Sequence, residues 1–229
     1  MQHSKPNDTG ETSSSLSEPI EQSSHPTRRQ YLYGIGLLGT TTPSIIPLTK
    51  RKQDNEDIET LNFLLEVELL HRAMYRLFLE NADEGKIETS EYAQRFSQVQ
   101  QDSLYESIEE LFNHEDAHVW RLRNIIKDLG GEPVEECEYT FDFVTKNGVD
   151  DKQFYDTAAE VETVGTAGYA GALADLGAHE SDARSIHSVE SRHSTYTRFL
   201  NAEDRFPNVF DISLSKEEVR NRYEEYQDC

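Results

Sequence analysis

A carboxylate and an imidazole stand on the apolar face of a predicted helix, and they limit how this chain can fold. Glu115 and His118 lie three residues apart in an apolar series that advances by three and four residues. The series continues on both sides with Leu104, Ile108, Leu111, Leu122, Ile125 and Leu129. Steps of that length follow one face of an α-helix. Burying an ionised carboxylate without a partner costs several kcal/mol, so other parts of the fold must neutralise Glu115.

One such pair carries little weight by itself, since roughly one Glu-x-x-His motif is expected by chance in a chain this rich in glutamate. Three other predicted helices, however, show the same interruption of an apolar face. We predict the four helices over residues 57–81, 90–129, 151–176 and 182–200. The interrupting residues are, in chain order, Glu68, Glu115 with His118, Glu162, and Glu190 with His193. Glu190 and His193 form a second Glu-x-x-His motif.

The connections between these helices differ in length. Residues 130–150 form a long connection with Gly, Pro and Asn-Gly, and their aromatic run at 137–143 is predicted to lie along the bundle. Three glycines in the third helix, Gly165, Gly168 and Gly171, cost helix propensity, and the close approach of a neighbouring helix would account for them. The C-terminal tail shows no strong core face, but a capping pattern at Ser215 predicts a short last helix.

Four interior carboxylates and two imidazoles match the ligand requirements of two divalent metal ions. Four negative charges offset two M²⁺ ions, which resolves the cost of burial. One Glu from each of two helices and a Glu-x-x-His from each of the other two is the arrangement of ferritin-like di-iron and di-manganese proteins. We therefore predict an all-α fold, a ferritin-like four-helix bundle with one long crossover from helix 2 to helix 3. The expected cofactors are two Fe ions, alternatively Mn, because carboxylate-rich sites accept both metals.

The chain resembles the ferritin-like domain family that includes desiccation-related and stress-response proteins. The resemblance covers residues 57–229 and is carried by the segments 61–75, 113–133, 137–141, 160–173, 185–200 and 210–219. It implies that Glu115 and Glu190 bridge the two metals. It further implies that Glu68 and Glu162 are terminal ligands and that His118 and His193 each bind one metal.

Two further polar residues, Tyr75 and His71, lie near the predicted site. Tyr75 lies seven residues after Glu68 on the same face. Its similarity to a tyrosine near the metals of ferritins implies a hydrogen-bonding or redox role, and packing in the core is the alternative. His71 completes a third Glu-x-x-His motif with Glu68, which departs from the family pattern. We interpret His71 as a surface residue, with an outer-sphere group or an extra ligand as alternatives. The remaining histidines of the helical region are expected to face solvent: His114, His179 and His187.

The sequence pattern of the N-terminal region predicts that the protein is exported. Residues 1–27 are polar and read as disordered, and residues 28–49 resemble a twin-arginine signal, with Arg28-Arg29 before an uncharged, mildly apolar run. The ferritin-like domain is expected over 50–229, in an extracellular or cell-surface location. The only cysteines, Cys137 and Cys229, could pair in an oxidising compartment, although the sequence does not show whether they come close enough.

The formal net charge of −22 argues against binding to nucleic acid or to an anionic membrane surface. Such acidity is also typical of halophilic proteins. The charge does not indicate an oligomeric state.

Three functions fit these features. The first is a dinuclear metalloprotein that oxidises Fe²⁺ or reduces O₂ or peroxide in stress protection, with metal ions and the oxidant as its partners. The second is a secreted or cell-surface stress protein that uses the bundle as a non-catalytic scaffold. The third is a dismutation of peroxide similar to that of manganese catalases.

Overall fold

The computed structural model describes residues 48–177 and 179–229. The predicted polar segment 1–27 and the twin-arginine segment 28–49 lie outside the described residues, except for positions 48 and 49, which begin the first helix. None of the described helices combines the length and the apolar character that a membrane crossing requires.

Four long helices build the core of the molecule, as the sequence predicts for an all-α ferritin-like bundle. They are α1 (Leu48–Asn81), α4 (Leu104–Asp128), α5 (Asp151–Ala172) and α6 (Glu180–Leu200). Helix α1 packs mainly against α4, and α5 mainly against α6, while α1 also packs against α5. The long connection between α4 and α5 is the single crossover of the bundle. The predicted fold class is thereby confirmed.

Shorter elements complete the described chain. Helices α2 (Glu84–Glu88) and α3 (Gln98–Gln101) lie between α1 and α4, and α7 (Lys216–Tyr223) follows the bundle. Strand β1 (Glu138–Tyr139) pairs with β4 (Gln227–Asp228), and β2 (Val144–Thr145) pairs with β3 (Gly148–Val149), both antiparallel. Short 3₁₀ turns stand at 93–95, 173–175 and 224–226.

The second long helix begins later than the sequence predicts, at Leu104 rather than near residue 90. The intervening chain instead turns at Phe96, whose backbone is extended, and Ser97 starts the separate helix α3 with a capping box to Gln100. Tyr92 is buried and stacks on Tyr155 of α5, with ring centroids 4.4 Å apart. Packing of this segment on the bundle thus replaces the helical continuation that its local pattern favours.

The C-terminal segment packs closely on α5, which corrects the prediction that it has no core face. Leu214, Val219 and Tyr223 are buried. The backbone N–H of Leu214 donates to the carbonyl of Ala167 at 3.0 Å, so the C-terminal segment and α5 are in direct backbone contact. A Cβ at Gly168 would lie 2.9 Å from Val219, and one at Gly171 would overlap the Leu214 carbonyl. The predicted close approach to the glycines of the third helix is therefore confirmed, with the C-terminal segment as the neighbour at these two positions.

A disulfide between Cys137 and Cys229 fastens the C-terminus to the crossover, with a Cα–Cα distance of 5.0 Å. It closes a loop of 92 residues, and a crosslink of this kind typically stabilises a fold by about 3 kcal/mol. The aromatic run of the crossover lies along the bundle as predicted, because Tyr139, Phe141 and Phe143 are buried.

Candidate metal centre

The structure brings the six predicted ligands together at the centre of the bundle. They come from α1 (Glu68), α4 (Glu115 and His118), α5 (Glu162) and α6 (Glu190 and His193). The three-residue spacing of each Glu-x-x-His pair puts both side chains on the same helix face, directed inward. All four carboxylates are fully buried.

The first group of ligand atoms surrounds His118. Its Nδ1 lies 3.2 Å from Glu68 Oε2, 3.3 Å from Glu115 Oε2 and 3.0 Å from Glu190 Oε1. His71 also faces this group, with Nδ1 3.3 Å from Glu190 Oε2. One ligand atom from each of Glu68, His71, Glu115 and Glu190 lies within 4.8 Å of the others, close enough for one metal ion to be held among them.

The second group contains Glu115, Glu162, Glu190 and His193, again with one ligand atom each within 4.8 Å of the others. His193 Nδ1 lies 2.7 Å from Glu115 Oε1, 3.6 Å from Glu190 Oε1 and 4.0 Å from Glu162 Oε1. Glu115 and Glu190 therefore belong to both groups. Each has two oxygens, so each can serve the two groups at once, which is the geometry of a bridging carboxylate.

The separations of the ligand atoms in both groups suit a metal ion, whereas the same atoms form few hydrogen bonds with each other. Neighbouring ligands of an octahedral ion stand about 3 Å apart when the metal–oxygen bonds are about 2.1 Å. The contacts given above fall around that separation. Six buried atoms of the two groups nevertheless lack a hydrogen-bond partner: His71 Nδ1, Glu115 Oε1, Glu162 Oε2, Glu190 Oε1 and Oε2, and His193 Nδ1. Buried polar atoms are rarely left unpaired, and ligation would satisfy all six.

Only histidines balance the buried negative charge within the part of the chain that the structure describes. Every ion pair of Glu68, Glu115, Glu162 and Glu190 is with a histidine, and none is with a lysine or arginine. Four carboxylates without a permanent cation are costly to bury together. Divalent cations would remove that cost.

The pKa values of the acidic groups reflect this crowding. Burial, together with the charges of Glu190 and Glu68, raises the pKa of Glu115 well above its usual range. Burial also raises the pKa of Glu162 to about 8. Burial opposes ionisation of Glu190 as well, but its contacts with His118 and His71 lower its pKa below the usual range.

The pKa values of His193 and His71 shift in opposite directions. Burial lowers the pKa of His193 to about 4, which leaves the ring neutral and able to offer a lone pair. Burial would also lower the pKa of His71, but the negative charges of Glu162 and Glu190 raise it to about 9.

Two tyrosines contact Glu68 and Glu162, the predicted terminal ligands, from the opposite helix. Tyr75 on α1 donates a hydrogen bond to Glu162 Oε1 on α5, and Tyr169 on α5 donates one to Glu68 Oε1 on α1. Both hydroxyls are buried. Tyr75 was predicted near the site, and its redox role stays a prediction. The contact of Tyr169 with Glu68 was not predicted, although the sequence carries a signal for it: Tyr169 follows Glu162 by seven residues, as Tyr75 follows Glu68.

His71 is not a surface residue, which corrects that interpretation. It is fully buried, because Gly165 on α5 has no Cβ and leaves room for the imidazole. Of the three histidines expected at the surface, His114 is exposed, while His179 and His187 are half-buried. His114 also contacts the site, since its Nδ1 lies 3.0 Å from His193 Nε2. Such a contact can fix the orientation of a ligating ring.

Comparison with known proteins agrees with the fold. No curated protein matches the chain. Residues 56–203, however, match the ferritin-like domain family. This range contains all six predicted ligands and both tyrosines. The chain therefore belongs to the ferritin-like domain family.

Proposed function

We propose that the protein binds two iron or manganese ions, with Glu115 and Glu190 as bridging ligands. Glu68 and His118 complete the first position, and Glu162 and His193 complete the second. The observation that carries this proposal is that two ligand groups share two fully buried carboxylates, while six of their atoms have no other partner.

We further propose that the protein oxidises Fe²⁺ or reduces O₂ or peroxide as a protection against stress. A redox-active metal pair, when bound, supplies the electrons for that reduction. The chain holds and orients the ligands: Tyr75 and Tyr169 fix the terminal carboxylates, and His114 fixes His193.

The oxidant would enter on the side of His118. The side chain of His118 is 11% exposed, whereas that of His193 is 4% exposed and the four carboxylates are fully buried. A small molecule can therefore reach the site from this side with the least rearrangement of packed side chains.

Metal analysis after anaerobic reconstitution tests the proposal. We expect about two ions per chain in the wild type and their loss in Glu190→Ala, with both retained in Glu160→Ala, which removes an exposed carboxylate of α5. Fe²⁺-dependent consumption of O₂ or peroxide should follow the metal content. A folded wild type that takes up no metal would contradict the proposal. Evolution of O₂ from peroxide with Mn²⁺ alone would instead indicate the manganese catalase-like reaction.

The second candidate is a non-catalytic secreted or cell-surface stress protein, and the disulfide favours it. A crosslink that ties the C-terminus to the crossover suits a durable scaffold outside the cell. Under this hypothesis the metals are purely structural. Tight retention of two ions without any turnover of Fe²⁺, O₂ or peroxide would support the scaffold over the oxidase.

We also propose export by the twin-arginine route, with an extracellular or cell-surface location. The Arg28-Arg29 pair motivates the proposal, and the Cys137–Cys229 disulfide supports an oxidising compartment. Replacing both arginines with lysine should retain the protein in the cytoplasm, as measured by cell fractionation. Unchanged export of that variant would exclude the route.

The net charge of −22 further supports a halophilic source. Salt screens the repulsion between surface carboxylates, so the melting temperature should rise from low to molar KCl. A melting temperature that does not depend on KCl would argue for an ordinary acidic protein.

A further inference from the structure

His71 has one buried ring nitrogen without a partner. Its Nδ1 lies 3.3 Å from Glu190 Oε2 and 3.7 Å from Glu162 Oε2, yet makes no hydrogen bond. The side chain is fully buried, so water does not reach this atom from outside. A polar atom in this position costs free energy unless something binds it.

The other ring nitrogen shows which nitrogen keeps its proton when the ring is neutral, as a metal ligand must be. His71 Nε2 lies 3.0 Å from the hydroxyl of Tyr223 on α7, and that hydroxyl donates its single proton to the carbonyl of Val161 at 2.8 Å. The hydroxyl oxygen can therefore only accept from His71, and Nε2–H is the donor. In the neutral ring, Nδ1 then carries a lone pair that points at the carboxylates.

The opposite helix is shaped to admit this ring. Gly165 follows Glu162 by three residues on α5, just as His71 follows Glu68 by three residues on α1. A Cβ at position 165 would overlap Cε1 and Nε2 of His71. The imidazole thus fills the space that the absent side chain leaves.

We infer that His71 is a third histidine ligand, which binds through Nδ1 to the ion held by Glu68, Glu115 and Glu190. This inference rests on the proposed function. A lone pair on Nδ1 that faces two carboxylates is repulsive unless a proton or a metal ion lies between them. Tyr223 positions the ring through Nε2, so the C-terminal helix reaches the metal centre through one hydrogen bond. The first ion then has two histidine ligands, His71 and His118, whereas the second has only His193.

Cobalt substitution followed by proton NMR tests this assignment. A histidine bound to paramagnetic Co²⁺ through one nitrogen shows a strongly shifted, exchangeable N–H signal from the other nitrogen. We expect three such signals in the wild type and two in His71→Gln, together with weaker Co²⁺ binding. His179→Gln, which changes a histidine away from the site, should keep all three.

A second variant decides the matter if His71→Gln does not fold. Tyr223→Phe keeps the aromatic ring but removes the acceptor for His71 Nε2–H. One of the three signals should then exchange faster with solvent, and Co²⁺ affinity should fall about 10-fold or more, as is usual when a partner of a metal ligand is removed. Three unchanged signals with unchanged affinity would overturn the positioning role.

The outcomes separate this inference from the proposed function. A wild type that binds two Co²⁺ ions but shows only two shifted N–H signals overturns the assignment of His71 and leaves the metal centre intact. Three signals that persist in His71→Gln do the same. A wild type that binds no Co²⁺ overturns both proposals.

Discussion

The two halves of the bundle, α1 with α4 and α5 with α6, carry the same pattern in the same order. Each half supplies a glutamate, a tyrosine seven residues later, and then a Glu-x-x-His motif on its second helix. The tyrosine of each half donates a hydrogen bond to the first glutamate of the other half. Neither half makes a complete cluster by itself, because Glu68 and Glu162 each accept a hydrogen bond from the other half.

The halves differ three residues after the terminal glutamate, where α1 has His71 and α5 has Gly165. The difference lies where the C-terminal helix enters, since Tyr223 contacts His71 and would meet a Cβ at position 165. A second difference lies at the residue just before each Glu-x-x-His motif. His114 stands before Glu115 and supports His193, whereas the matching residue before Glu190 is Val189. Under the proposed assignment, the asymmetry would give the two metal positions different donors and different support.

Removing a shared carboxylate should have the largest effect, because it disrupts both ligand groups. We expect Glu115→Gln to lose both metals and all metal-dependent oxidation, since this residue belongs to both ligand groups. Metal analysis after reconstitution measures the loss. Glu110→Gln, an exposed position on the same helix, should behave like the wild type. Retention of both ions by Glu115→Gln would contradict a bridging role.

Removing a terminal carboxylate should affect only one of the two ions. Glu68→Gln is expected to lose or weaken the first ion, and Glu162→Gln the second, because each residue belongs to only one group. About one tightly bound ion should remain in either variant, as counted by equilibrium dialysis. If either variant loses both ions at once, the two positions are not independent.

The metal-free protein should lose stability as the pH rises from 6.5 to 9. Burial raises the pKa of Glu162 to about 8, and the neighbouring carboxylates raise that of His71 to about 9 despite its burial. Both groups hold protons in the folded state that the unfolded chain releases, so stability falls as the pH rises, by at most about 1.4 kcal/mol per pH unit for each proton.

Thermal melts in the presence of a chelator measure this dependence. Glu162→Gln should flatten the curve, and metal loading should raise the melting temperature most at high pH, because the ions take the place of the protons. Stability that rises with pH in the metal-free wild type would contradict the prediction.

Removing the crossing tyrosine hydroxyls should have the smallest effect. Tyr75→Phe is expected to weaken the second ion and Tyr169→Phe the first, each by about 10-fold, because a carboxylate ligand loses the donor that orients it. Competition with a chelator measures both affinities. Tyr155→Phe, a buried tyrosine of α5 without a hydrogen-bonded hydroxyl, is the matched control. Equal weakening of both ions by either variant would show that the crossed support does not distinguish the halves.

Helical periodicity alone was sufficient to predict the bundle and the placement of the six interior polar residues. The steps of three and four residues are a local property, and they reveal which side chains share a helix face. The late start of α4 could not be predicted, because packing of Tyr92 on Tyr155 competes with the local helical pattern. The burial of Tyr223 was missed for a similar reason: its partners, the His71 ring, the Val161 carbonyl and Gly165, are distant in the sequence.

The sequence by itself determined the four helices, the charge, and the fact that four carboxylates must share one interior. Only the tertiary structure decided that Tyr75 and Tyr169 cross to the opposite glutamates, that His71 is buried against Gly165, and that Cys137 pairs with Cys229. The reason is physical. A helix face follows from neighbours a few residues away, but a contact between two faces depends on how the elements pack. The reason for a glycine at position 165 becomes visible only when the His71 ring is seen to occupy the space beside it.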